Sequence, residues 1–244
     1  WGIQNLLLNK DFNAFLNYKY PGLLKYFDNT IEVLHFQLST QFTYYHELAH
    51  LIQFNKSKEE YTLNEREDSG NKKDIERHWL EINADTFASI LVASHIEQYL
   101  FNHIGDDLDS EKTYDCITIF GTCLFSYIMS FASTTHTIYY FEKTHPHPII
   151  RVLIVLITVI RLLSDSPKFK EKSISFSYNQ VINSIINLHQ SLEEKNILNN
   201  GISQMIIDSF QEINKIREYL EYLNKNKPQQ YKDATEEWNR TLLN

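Results

Sequence analysis

Late in the chain, apolar residues fall at Ile206, Phe210, Ile213, Ile216, Leu220 and Leu223, at intervals of three and four. That spacing marks one face of an amphipathic helix and predicts a helix over 202–223. Comparable runs predict helices over 3–18, closed by Pro21-Gly22, and over 149–163, stopped before Ser166-Pro167. A further helix over 177–195 ends near Asn199-Asn200-Gly201, residues suited to a left-handed stop. Ser39 or Thr40 can cap a helix running to about Asn55, and Asp74 opens a long one reaching about His103. Residues 31–38, Ile-Glu-Val-Leu-His-Phe-Gln-Leu, partly alternate and read as a strand. Residues 56–73 are charged, contain Gly70-Asn71 and predict an exposed loop. A polar connector is expected from Asp106 to Asp115, then a buried helix, then a proline-braced turn from Thr144 to Pro148. Lys227-Pro228 breaks the last long helix, and a short one holding Trp238 finishes the chain.

Composition supports a helical reading. There are 6 Gly and 5 Pro in 244 residues, and long stretches contain neither. The expected class is mainly α, with α+β open if 31–38 is a strand. Hydrophobic residues make up 43% and charged residues 22%, as in a folded chain with a real core. The net charge is −8 and the basic residues are scattered, so nucleic acid is not an expected partner. Cys116 and Cys123 lie seven apart, on one face if their segment is helical, and read as buried free thiols of a cytoplasmic protein. Residues 152–160 are apolar but sit between Arg151 and Arg161, too short to span a membrane. Residues 116–141 are long enough and almost uncharged, but Thr118, Thr122, Ser126, Ser130 and the run Ser133-Thr134-Thr135 interrupt them; a buried helix is favoured, with a membrane anchor as the alternative. No charged segment followed by an apolar run opens the sequence, so no signal peptide is expected in it.

The chemistry is concentrated in His46-Glu47-Leu48-Ala49-His50. Two imidazoles one helical turn apart can share one tetrahedral metal, and Glu47 then sits beside it, where it can deprotonate water. The plain alternative is a pair of surface histidines with a salt-bridging glutamate. A catalytic zinc needs a third protein ligand. A histidine six residues after His50 would complete one known pattern, but that position is Lys56. Glu81 is the better candidate, with Asp85 one turn later, able to hold a ligand histidine by its free ring N–H. Ala84 and Ala88 are small enough to let this helix pack closely on the first. His78, one turn before Glu81, is a competing ligand; a solvated acidic face is the alternative for Glu81 and Asp85.

These residues resemble a known family. His46-Glu47-Leu48-Ala49-His50 followed by Glu81-Ile82-Asn83-Ala84-Asp85-Thr86-Phe87-Ala88 is similar to the gluzincin pattern H-E-x-x-H…E-x-x-A-D-x-x-A of the HtpX and CaaX-prenyl-protease group. Thr144-His145-Pro146-His147-Pro148-Ile149-Ile150-Arg151 resembles that group's later T-H-P-x-x-x-x-R element. The resemblance implies a zincin-like helical metallopeptidase core with a small or vestigial sheet over 1–164. Residues 165–244 would then be a helical appendage packed on or beside it. It also implies His145 at the active-site cleft, with Arg151 supporting it. A weaker likeness is to phage-exclusion peptidases of the Lit type, and an Asn-, Lys- and Ile-rich composition suggests an AT-rich microbial genome.

The expected function is a zinc metalloendopeptidase acting on a protein substrate. His46, His50 and Glu81 hold Zn2+, and Glu47 is the general base. His145 is the first choice for stabilising the oxyanion or contacting substrate, with His147, Tyr139 and Tyr140 in reserve. A strand at 31–38 could align an extended peptide on its free edge. Latency until triggered suits a cytoplasmic protease. The rival readings are a catalytically inactive zincin-like scaffold, a membrane-bound peptidase, and an interaction protein whose helices after 165 bind a partner.

Overall fold

Helices account for every regular element among the described residues of this computed structural model, which are 10–27, 31–57, 72–132, 138–198 and 201–227. In chain order they are α1 (Lys10–Lys19), α2 (Ile31–Ser57), α3 (Lys72–His103), α4 (Ser110–Met129), α5 (Pro148–Asp165), α6 (Pro167–Glu171), α7 (Tyr178–Glu194), α8 (Ile202–Gln211) and α9 (Ile213–Lys225). The fold is mainly α. The strand expected at 31–38 is instead the first part of α2. There the buried apolar residues Ile31, Leu34, Leu38 and Phe42 form a helical stripe, while exposed Val33 and Phe36 imitate alternation. The expected helix 202–223 is two helices meeting at Glu212, and α4 begins at Ser110, inside the expected polar connector. The loop core at 58–71 and the short helix around Trp238 lie outside the described residues.

α4 is the central helix. Asp109 caps it by accepting from the Lys112 backbone N–H, and its residues from Cys116 to Met129 are all buried. Its polar side chains survive burial because they bond locally: the Thr118 and Thr122 hydroxyls donate to the carbonyls one turn back, at 2.9 and 2.8 Å. α2, α5 and α7 pack around it. Gly121 permits the close approach of α7, since a Cβ there would lie 2.3 Å from Ile185 Cδ1. No helix of the described residues is long and apolar enough to cross a membrane. Cys116 and Cys123 are buried and unbridged, and burial pushes the Cys123 thiol up to about 12. One apolar cluster runs from Phe12 of α1 to Leu223 of α9. α2 lies along α3, and α3 along α5, which sets the site between these helices.

Three histidines are buried as neutral rings. Burial drives His189 to about 4 despite the opposing charge of Glu193, and it drives His147 to about 4 with help from Lys143. His35 is also lowered by burial, which outweighs its contact with the Cys123 carbonyl. An unfolded histidine titrates near 6.5. Between about 6.5 and 4 the unfolded chain therefore binds more protons, so stability is complete above that window and is lost as pH falls through it. Each such histidine is expected to lower the folding constant by about tenfold per pH unit there. Urea midpoints from pH 7 to 4.5 check this, and His189→Leu should flatten the slope; an unchanged slope would assign the proton uptake to other groups.

Candidate metal centre

α2 buries Phe42, His46, Ala49 and Gln53, a stripe spaced by four, three and four that faces α3. α3 answers with Ala84 and Phe87, and the two alanines, both fully buried, bring the helices together. Around this apolar seam the polar residues converge. His46 Nε2 and His50 Nε2 are 3.1 Å apart. Glu81 places Oε1 3.3 Å from His50 Nε2 and Oε2 3.5 Å from His46 Nε2. His46, His50 and Glu81 can hold a metal ion, each offering one ligand atom within 4.8 Å of the others.

Neighbouring groups fix which ring nitrogens carry protons. The Gln53 amide donates to the Leu80 carbonyl at 3.2 Å and to Asn83 Oδ1 at 2.8 Å. Its Oε1 is thereby turned to His50 Nδ1, 2.9 Å away, which must carry the hydrogen. His46 Nδ1 lies 2.9 Å from Asp85 Oδ1, close although not aligned as a linear hydrogen bond, and this carboxylate favours N–H on that side too. Both Nε2 atoms therefore present lone pairs to each other and to a carboxylate. Three lone-pair donors at such distances repel unless a cation or proton lies among them.

The charges agree. Burial opposes the charged form of His46, but contacts with Asp85 and Glu81 outweigh it and raise the ring to about 9. A proton and a metal ion would therefore compete for the same lone pairs. Burial would raise Glu81, yet His46, His50 and Arg151 hold it well below the usual carboxylate range. Asp85 is completely buried and likewise held down, chiefly by Arg151 against the cost of burial. Arg151 reaches in from α5 with a two-pronged grip on Asp85, Nε to Oδ2 at 2.7 Å and Nη2 to Oδ1 at 2.8 Å, and its Nη1 stands 3.6 Å from Glu81. Two carboxylates against one guanidinium leave the centre one charge negative when both rings are neutral, which favours a cation.

Glu47 follows His46 on α2 and is exposed to solvent. Asp85 is in contact with His46. His145 lies in the connection between α4 and α5, half exposed, with Nε2 3.7 Å from Glu81 Oε1. Arg151, expected to support His145, grips Asp85 and Glu81 instead, because a buried carboxylate is the stronger partner for a guanidinium. His147 is buried and caps α5, its Nδ1 accepting from the Ile149 N–H at 3.1 Å. Tyr139 packs edge-on against His147, and the Tyr140 hydroxyl donates to Glu212 at 2.8 Å. His78, the competing ligand, points elsewhere, to Tyr219 and the Lys143 carbonyl. Gln53 and Asn83 were not anticipated; the signal for Gln53 is its place three residues after His50, on the same helix face.

In comparisons with known protein families, curated proteins and solved structures, nothing matches this chain.

Proposed function

We propose that this chain is a zinc-dependent endopeptidase of gluzincin type that hydrolyses a protein substrate, with Glu47 as general base. The observation that carries the reading is the convergence of two imidazole lone pairs and a partly buried carboxylate, with an exposed glutamate next to His46 in the chain. The spacing suits zinc. Neighbouring ligand atoms around a tetrahedral zinc, at about 2.0–2.1 Å from the metal, lie about 3.3–3.4 Å apart; the two imidazole nitrogens here are 3.1 Å apart, and each faces a different Glu81 oxygen, His50 at 3.3 Å and His46 at 3.5 Å. Three protein ligands of the His-His-Glu kind leave a fourth position open, as catalytic centres do.

Zinc held by His46, His50 and Glu81 supplies a Lewis acid and makes water acidic enough to lose a proton near neutral pH. Glu47 accepts the proton of the water that attacks the peptide carbonyl and passes it to the leaving amine. Its exposure leaves it open to substrate. Asp85 and Gln53 keep both ligand rings in the tautomer that presents Nε2. His145, 3.7 Å from Glu81, donates to the developing oxyanion or grips substrate in this reading.

Elemental analysis of the purified chain should find about one zinc per chain, and peptide cleavage should stop on chelation and return with zinc. A chain that takes up no zinc would sink the proposal. Glu81→Ala should weaken zinc binding at least about a hundredfold; full occupancy in that variant would move the third ligand elsewhere.

A further inference from the structure

His145 lies in the connection between α4 and α5 and stands close to Glu81. What holds that connection in place is a cluster of rings supplied by α9. His78 lies one turn before Glu81 on α3 and is fully buried. Its Nε2 donates to the Lys143 carbonyl at 2.5 Å, two residues before His145. In the neutral ring, that bond leaves Nδ1 as an acceptor, and the Tyr219 hydroxyl of α9 is 2.5 Å away. Phe141 stacks on His78 and meets Tyr219 and Tyr222, with ring centres 5.1 and 5.4 Å apart for the two tyrosines. Tyr140 packs on Tyr219 and donates its hydroxyl to Glu212, at the junction of α8 and α9. Glu142 closes the turn by accepting from the Tyr140 and Phe141 backbone N–H groups. Helix α3 thus carries both a metal ligand and, one turn earlier, the anchor for the His145 segment.

We propose that α9 is a clamp, in which Tyr219 acts through His78 as a positioning residue that fixes His145 relative to Glu81. Tyr219→Phe keeps the ring packing and removes only the hydroxyl. A buried acceptor without its donor costs enough to shift a local equilibrium by about tenfold. The His145 assignment rests on the peptidase reading, but the clamp does not, and two measurements separate them.

The first needs no activity. Amide hydrogen exchange over 138–147 in the full chain should quicken about tenfold in Tyr219→Phe, while exchange in α2 around the ligands stays as in wild type. Unchanged exchange over 138–147 overturns the clamp. Tyr140→Phe, which cuts the part-buried bond to Glu212, should act in the same direction and serves if Tyr219→Phe does not fold. The second measurement uses the zinc-loaded chain. Tyr219→Phe should lower kcat about tenfold with zinc content intact, and should have no further effect in a His145→Ala background. An equal loss in that background overturns the positioning role. Faster exchange in a chain that cleaves no peptide would keep the clamp and discard the peptidase.

Discussion

Glu47→Gln is expected to keep a full complement of zinc and to lose peptide hydrolysis, by at least about a thousandfold in kcat. The reason lies in the division of labour at the centre. The atoms that can hold a metal belong to His46, His50 and Glu81, and Glu47 is no part of that set. Glutamine has the same length and shape, so α2 and its packing are undisturbed. It cannot accept a proton, however, and a water that cannot shed one is a poor nucleophile. Elemental analysis and a cleavage assay on one preparation check both halves. Residual turnover near the wild-type rate would remove Glu47 from the mechanism. The inactive variant also offers the way to the substrate: protein N-termini that appear in cells with the wild-type chain, and not with Glu47→Gln, mark the bonds it cuts.

The second large effect is on stability. Arg151→Met should destabilise the chain by about 3–5 kcal/mol, the range for a buried ion pair that loses one partner. Asp85 has no exposure to water, and Arg151 supplies two short hydrogen bonds to it. Methionine fills the space and removes the stronger of the carboxylate's two cationic neighbours, Arg151, leaving His46. The pH dependence has a definite sign. In the wild type the Asp85 carboxyl is held below its ordinary value, so its contribution is present above the unfolded value and lost as pH falls through the folded one. In the variant, burial raises that carboxyl instead. The gap between the two proteins should therefore narrow as pH drops through the carboxylate range. Adding Asp85→Asn to Arg151→Met should recover part of the loss, because the pair then leaves together. Urea unfolding of the wild type and the two variants measures this; a deficit below about 1 kcal/mol for Arg151→Met would mean that water reaches Asp85 when the arginine is gone.

The ligand set could be read along the chain because helical spacing carries it. His46 and His50, and Glu81 and Asp85, are each four apart, which puts each pair on one helix face. Pairing the two faces needed a third dimension, and the small residues Ala49 and Ala84 were the local sign of it. Gln53 escaped because an amide has no chemistry of its own in such a site; its role, turning His50, appears only once its other two hydrogen bonds are seen. The same holds for His78, a plausible ligand by spacing that is claimed by Tyr219, 141 residues away. The supposed strand at 31–38 failed for a different reason. Two exposed apolar residues, Val33 and Phe36, blurred a stripe that continues without a break into the histidines. With that strand gone, so is the sheet edge expected to align a peptide.

The seam of Ala49, Ala84 and Phe87 beneath the ligands has one more consequence. Oil-like contacts hold the two ligand-bearing helices together, and the proton on His46 settles the charges above them. The centre therefore needs no rearrangement of these helices to take a metal. Filling it is an exchange of one cation for another, with no refolding step in the way. A chain stripped by a chelator should take metal back within the time of mixing, and its occupancy in the cell would follow the free metal supply from moment to moment.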